Sequence, residues 1–102
     1  MGDDLLRLQE LRAAGEAVAL ATIIHTRGHC PREVGARMLV LRDGRTFGTI
    51  GGGCGESEVR RRAFDVLDTA DPVLCVVDLL DDPALVDGAV CGGKMEIFIE
   101  RV

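Results

Sequence analysis

Aromatic side chains are scarce: the 102 residues include three Phe and neither Trp nor Tyr. Proteins that hold single-stranded nucleic acid stack its bases on aromatic side chains, so the sequence argues against that class. An excess of positive charge is also missing. Twelve Lys and Arg stand against 17 Asp and Glu, for a net charge of −5 and a pI near 4.9. That balance argues against a general binder of nucleic acid or of anionic membrane surfaces. Long apolar runs are absent too. The longest, Ala17 to Ile24, has eight residues broken only by Thr22, whereas a spanning helix needs about 20. Met1-Gly2-Asp3-Asp4 has no basic n-region, and Leu6 stands where the myristoylation pattern requires Ser or Thr. These absences predict a cytoplasmic protein whose four cysteines are reduced thiols rather than a disulfide scaffold.

What is present is the composition of a folded domain. A hydrophobic share of 47% and a charged share of 28% belong to soluble globular proteins and not to disordered chains. The length fits one domain, taken as residues 1–102. Asp3 and Asp4, Leu5, Leu8 and Leu11 at three-residue spacing, and a stop at Gly15 predict a helix over 3–14. Val18, Leu20, Ile23 and Ile24 predict a buried strand over 17–26, followed by a loop framed by Gly28, Pro31 and Gly35. A second strand over 37–42 turns at Asp43-Gly44 into a third over 45–50. A helix over 56–67 buries Val59, Ala63, Val66 and Leu67, with Arg60, Arg61 and Arg62 on its solvated face. Residues 73–79 form a buried strand that includes Cys75, and 80–93 a loop. Met95, Ile97 and Ile99 alternate with Glu96, Phe98 and Glu100 in a last strand over 95–101. The predicted fold is an α/β two-layer sandwich, with a mixed sheet of about five strands and two main helices. The helix over 56–67 is a candidate parallel crossover between its flanking strands.

Three constellations are capable of chemistry. Gly48-Thr49-Ile50-Gly51-Gly52-Gly53-Cys54-Gly55-Glu56 leads from a strand into a helix. Turns of this kind aim backbone N–H groups into one concavity, and the helix start adds positive partial charge, a setting for an anion such as phosphate. The spacing is neither Walker A nor the dinucleotide fingerprint. A cysteine at that place gains thiolate character, so Cys54 is a candidate nucleophile, sulfur carrier or soft-metal ligand. The plain alternative is a tight turn with a small buried filler. Val90-Cys91-Gly92-Gly93-Lys94 repeats the Cys and Gly-Gly pairing before a strand, and an ordinary turn is again the alternative. Arg32 and Arg37 flank the Pro31 loop and suit an anionic ligand, or are simply solvated. His25, His29, Cys30, Cys54, Cys75 and Cys91 are the available zinc ligands, but no pair has the tight spacing of a structural zinc site. Cys75 reads as a buried apolar filler, and His25 as a hydrogen-bonded strand end.

Taken in order, Gly28…Pro31-Arg32…Gly35-Ala36-Arg37-Met38, then Gly48 to Glu56, then Cys91-Gly92-Gly93 resemble the XdhC/CoxI family over residues 15–102. These are accessory proteins of molybdenum hydroxylases such as xanthine dehydrogenase and aerobic carbon monoxide dehydrogenase. The resemblance implies a non-enzymatic chaperone that binds molybdenum cofactor, supports its sulfuration by a cysteine desulfurase and passes it to the apoenzyme. It implies that Cys54, Glu56 and Cys91 match the family's GGCxE and CGG motifs, with Cys54 and Cys91 as metal contacts. Gly51, Gly52, Gly53, Gly92 and Gly93, with Arg32 and Arg37, would form the rest of the cofactor site. Longer members continue into a Rossmann-like domain. A chain that stops at Val102 would then work as a separate module, completed by a homodimer or by a second half encoded elsewhere. The cofactor carries phosphate, which suits a glycine turn and arginines, and a soft metal with dithiolene sulfur, which suits thiolates. A competing function is thiol redox or sulfur transfer through Cys54 and Cys91. A third is a docking module whose glycines serve only turns.

Overall fold

The structure, a computed structural model, describes residues 2–30, 32–51, 53–78 and 93–102. Its elements run α1 (Gly2–Ala13), β1 (Val18–Arg27), β2 (Arg37–Leu41), β3 (Thr46–Gly48), α2 (Gly53–Thr69), β4 (Val73–Asp78) and β5 (Lys94–Arg101). The α/β class and, among the described residues, the five strands and two helices are those predicted from the sequence.

The pairing differs from the mixed sheet expected. The order is β3-β2-β1-β5-β4, and every neighbouring pair is antiparallel. β3 and β4 point the same way but lie at opposite edges, so α2 does not join paired parallel strands. It crosses the face of the whole sheet, over four strand spacings or roughly 19 Å. The reason lies in β5. Met95, Ile97 and Ile99 are fully buried, so this strand takes a central place between β1 and β4 and separates β4 from the other edge.

Strand alternation builds two apolar faces. Ala19, Ala21 and Ile23 of β1, Met38 and Val40 of β2, Cys75 and Val77 of β4, and the three buried residues of β5 face α2. There they pack on Val59, Ala63, Val66 and Leu67. On the other face Val18, Leu39 and Leu41 pack on Leu11 of α1, with Leu8, Leu20, Phe47 and Val102 around them. The second layer of the sandwich is therefore α2, and α1 adds a partial cover over β1 and β2. Leu5 points outward and is 46% exposed, so only Leu8 and Leu11 of the predicted leucine stripe are used. α1 ends at Gly15 (φ 79°), where the Gly15 amide donates to Arg12 O and the Glu16 amide to Leu11 O. That pair of bonds is a Schellman cap. Asp43 and Gly44 make the β2–β3 turn, and the Asp43 carboxylate accepts from the backbone N–H and the guanidinium of Arg45.

One apolar residue of β1 escapes the core. Ile24 lies on the face away from α2, beyond the cover of α1, and is 48% exposed; the β1–β5 register shifts here, between Ile23 and His25. Beyond it Nδ1 of His25 lies 3.2 Å from Glu96 Oε2.

Candidate functional site

Because β1, β3 and β4 run in one direction and β2 and β5 in the other, one end of the sheet collects a defined set of segments. This upper end holds residues 28–30 and 32–36 after β1, residues 49–51 between β3 and α2, the start of α2, the end of β4 and the start of β5. The described residues of the Gly48–Glu56 segment and of the Arg32 and Arg37 loop lie at this end, as do Gly93 and Lys94. The lower end holds the β2–β3 turn and the α2–β4 connection.

Each segment is held there by identifiable contacts. The 28–36 loop is fastened to β1 by the Gly35 amide donating to Ile23 O and the Ile23 amide donating to Ala36 O. Arg37 opens β2 opposite Thr22 and is half-buried, whereas Arg32 is exposed in the loop above it. Gly48 closes β3 at φ 81°, and a Cβ on it would stand 2.5 Å from the Arg37 carbonyl oxygen. Only glycine allows the chain to leave the sheet that close to β2.

Helix α2 begins three residues earlier than predicted, so Gly53, Cys54 and Gly55 form its first turn. Glycines weaken a helix interior, but amides of a first turn need no intrahelical acceptor. Those amides face the end of the helix, where its positive partial charge lies. Gly55 sits against the sheet, and a Cβ there would meet Val77 Cγ1 at 3.3 Å. The backbone at Cys54 is thereby set beside the upper ends of β4 and β5. Glu56 is half-buried, and its Oε2 accepts a short hydrogen bond from the Thr49 hydroxyl. The Gly51 amide donates to the same hydroxyl oxygen at 2.9 Å, so this amide is engaged by the protein itself. Gly93 is buried just ahead of β5. Gly52, Cys91 and Gly92 lie outside the described residues.

Two residues to which sequence reasoning assigns no part in the site are also here. Thr49 stands in the sequence only as one member of a motif string; its position two residues before Gly51 is the spacing of a hydroxyl-capped turn. Cys30 matches no motif, yet its Sγ lies within hydrogen-bond reach of two acceptors for its single proton, Arg27 O at 3.5 Å and Lys94 O at 3.6 Å. It therefore stands beside the first residue of β5. Cys75 lies away from this end, buried under α2 as the sequence predicts. Burial pushes its thiol up, with the Arg62 guanidinium pulling the other way. Among the described residues no group of three or more His, Cys, Asp or Glu is placed to hold a metal ion. Among them, too, no helix is long and apolar enough to cross a membrane.

The chain is similar to known proteins. The sequence pattern of the XdhC and CoxI family matches residues 11–78. This chain belongs to the XdhC and CoxI family. A probable xanthine dehydrogenase subunit from Bacillus subtilis is 34% identical over the whole chain, which spans 32% of that protein. The molybdenum cofactor insertion chaperone PaoD of Escherichia coli is 34% identical over 57% of the chain and 18% of its own length. A crystal structure of a xanthine dehydrogenase from Bacillus halodurans superposes with a TM-score of 0.81 at 33% identity, over 97% of this chain and 30% of that one. The XdhC/CoxI chain thus spans about a third or less of the length of these relatives. The family match covers β1 to β4 and includes the Gly48–Glu56 segment, which lies at the upper end.

Proposed function

We propose that this XdhC/CoxI chain binds molybdenum cofactor at the upper end of its sheet and serves a molybdenum hydroxylase as an accessory protein without turnover of its own. The observation that carries the reading is the convergence at this end of the loop bearing Arg32, the start of β2 bearing Arg37, the glycine turn and the α2 start bearing Cys54 and Glu56. The relatives named for xanthine dehydrogenase and for cofactor insertion support the same direction.

The donor set fits the cargo. First-turn amides of α2 with Arg32 and Arg37 suit its phosphate. Since the Gly51 amide is engaged by Thr49, the phosphate falls to the amides nearer the helix and to the arginines. Cys54 and Cys91 supply thiolate for the molybdenum or its sulfur. Glu56 accepts hydrogen bonds from the organic part. In this reading the chain holds the cofactor while a cysteine desulfurase sulfurates it, and then hands it to the apoenzyme. A second copy of the chain or a Rossmann-like domain completes the assembly. Leu74 and Val76 of edge strand β4 are 46% and 53% exposed on the face away from α2, beside Phe98. That apolar strip gives such a partner a place to pack.

The test is anaerobic binding of purified molybdenum cofactor to the wild type and to Cys54→Ala. Tight binding that the variant loses is the expected result. Wild-type affinity in Cys54→Ala, together with undiminished activation of a hydroxylase, overturns the role of Cys54. Persulfide or disulfide on Cys54 and Cys91 without cofactor binding would favour sulfur transfer instead.

A further inference from the structure

We propose that Thr49 is a positioning residue of the upper end: its hydroxyl fixes the Glu56 carboxylate and the Gly51 amide in one arrangement at the mouth of α2. A hydroxyl has a single proton to donate and lone pairs to accept with. The Gly51 amide donates to Oγ1, and the Thr49 O–H donates to Glu56 Oε2. Each bond favours the hydroxyl orientation the other needs. The bond to the carboxylate is charge-assisted and stronger than one between neutral groups.

The turn needs such a fastening. β3 ends at Gly48, so residues 49–51 have no strand ladder to hold them, and Gly51 adopts φ 125°, where only glycine is at ease. Ile50 between them is buried in the α2 core. The segment is thus pinned from below by an apolar side chain and from above by the hydroxyl. Branching at Cβ limits the Thr49 rotamers and keeps the hydroxyl in place. The effect on cofactor rests on the proposed function; the positioning itself does not.

Thr49→Val keeps the shape and removes the hydroxyl, and Thr49→Ser keeps the hydroxyl. Three readouts are taken: molybdenum retained with the cofactor in equilibrium dialysis, exchange of the Gly51 amide by NMR, and the thermal midpoint. Thr49→Val is expected to weaken binding about tenfold and to speed Gly51 exchange to a similar extent. Thr49→Ser is expected to stay within about threefold of the wild type on both. In a Glu56→Ala background the valine change should cost binding much less, because the two side chains act as one unit. The proposal is overturned if Thr49→Val leaves Gly51 exchange unchanged, if Thr49→Ser is as impaired as Thr49→Val, or if the two substitutions add fully. If the wild type binds no cofactor, the functional reading falls, and Gly51 exchange in the valine and serine variants still decides the role of Thr49.

Discussion

Gly48 is the residue on which the geometry of the upper end depends most directly. Its positive φ disfavours any side chain, and the added Cβ would press on a backbone carbonyl, which has no flexible end to swing away. Gly48→Ala should therefore destabilise the fold by about 2 kcal/mol or more, combining backbone strain with overpacking. Urea unfolding measures this, and a loss under about 0.5 kcal/mol, the scale of an ordinary surface change, would show that β3 can shift without cost. Cys75 poses a different question at the same scale. Its thiol is held in the protonated form by burial. The folded chain therefore keeps a proton that the unfolded chain releases, and stability falls as pH rises past the ordinary thiol range toward the higher folded value. Cys75→Ala should flatten that alkaline decline. In the folded protein iodoacetamide should modify half-buried Cys30 and spare Cys75; modification of Cys75 at the rate of an open thiol would contradict the burial.

Among the elements, α2 has an unusual end. Ala70 follows it at φ 64°, the left-handed geometry that glycine commonly supplies. Ala70→Gly should raise stability by about 0.5–1 kcal/mol, because the strain relieved exceeds the entropy lost on folding. A fall in the unfolding midpoint would contradict this. Two guanidiniums support the same end: Arg42 Nη2 and Arg101 Nη1 donate to Leu67 O at 3.0 and 3.1 Å, and Arg42 also pairs with Asp68. This terminus was not legible in the sequence, since neither arginine belongs to the helix. Other elements were. Gly15 marked the end of α1, Asp43-Gly44 the β2–β3 turn, and the alternation of Met95, Ile97 and Ile99 the inner face of β5. The bulge beside Ile24 was hidden inside an apolar run, because composition carries no register. The start of α2 at Gly53 was obscured by glycine's poor propensity, a rule for helix interiors that a first turn escapes. For the upper end, the residue types announced themselves, but the gathering of the described segments at one end of the sheet did not. It depends on strand direction and order, and β5 enters between β1 and β4 only after every other strand has been made.

For the whole molecule, direction of strands divides the loops into two sets, and a ligand should distinguish them. If cofactor binds at the upper end, it stabilises the folded state by mass action, about 2.7 kcal/mol at a hundredfold excess over Kd. The added protection against amide exchange should then be uneven. Residues 28–30, 32–36 and 49–51, together with the first turn of α2, should gain local protection beyond the global increase. The β2–β3 turn over 42–45 and the α2–β4 connection over 70–72 should not, because they lie at the opposite end of the strands. Exchange from loops reports local opening rather than global unfolding, so the two sets can be compared in one experiment on one sample. Protection confined to the lower loops would move the site to the other end of the sheet. Equal protection of both sets would mean that the ligand acts only through global stability and makes no local contact with the upper end.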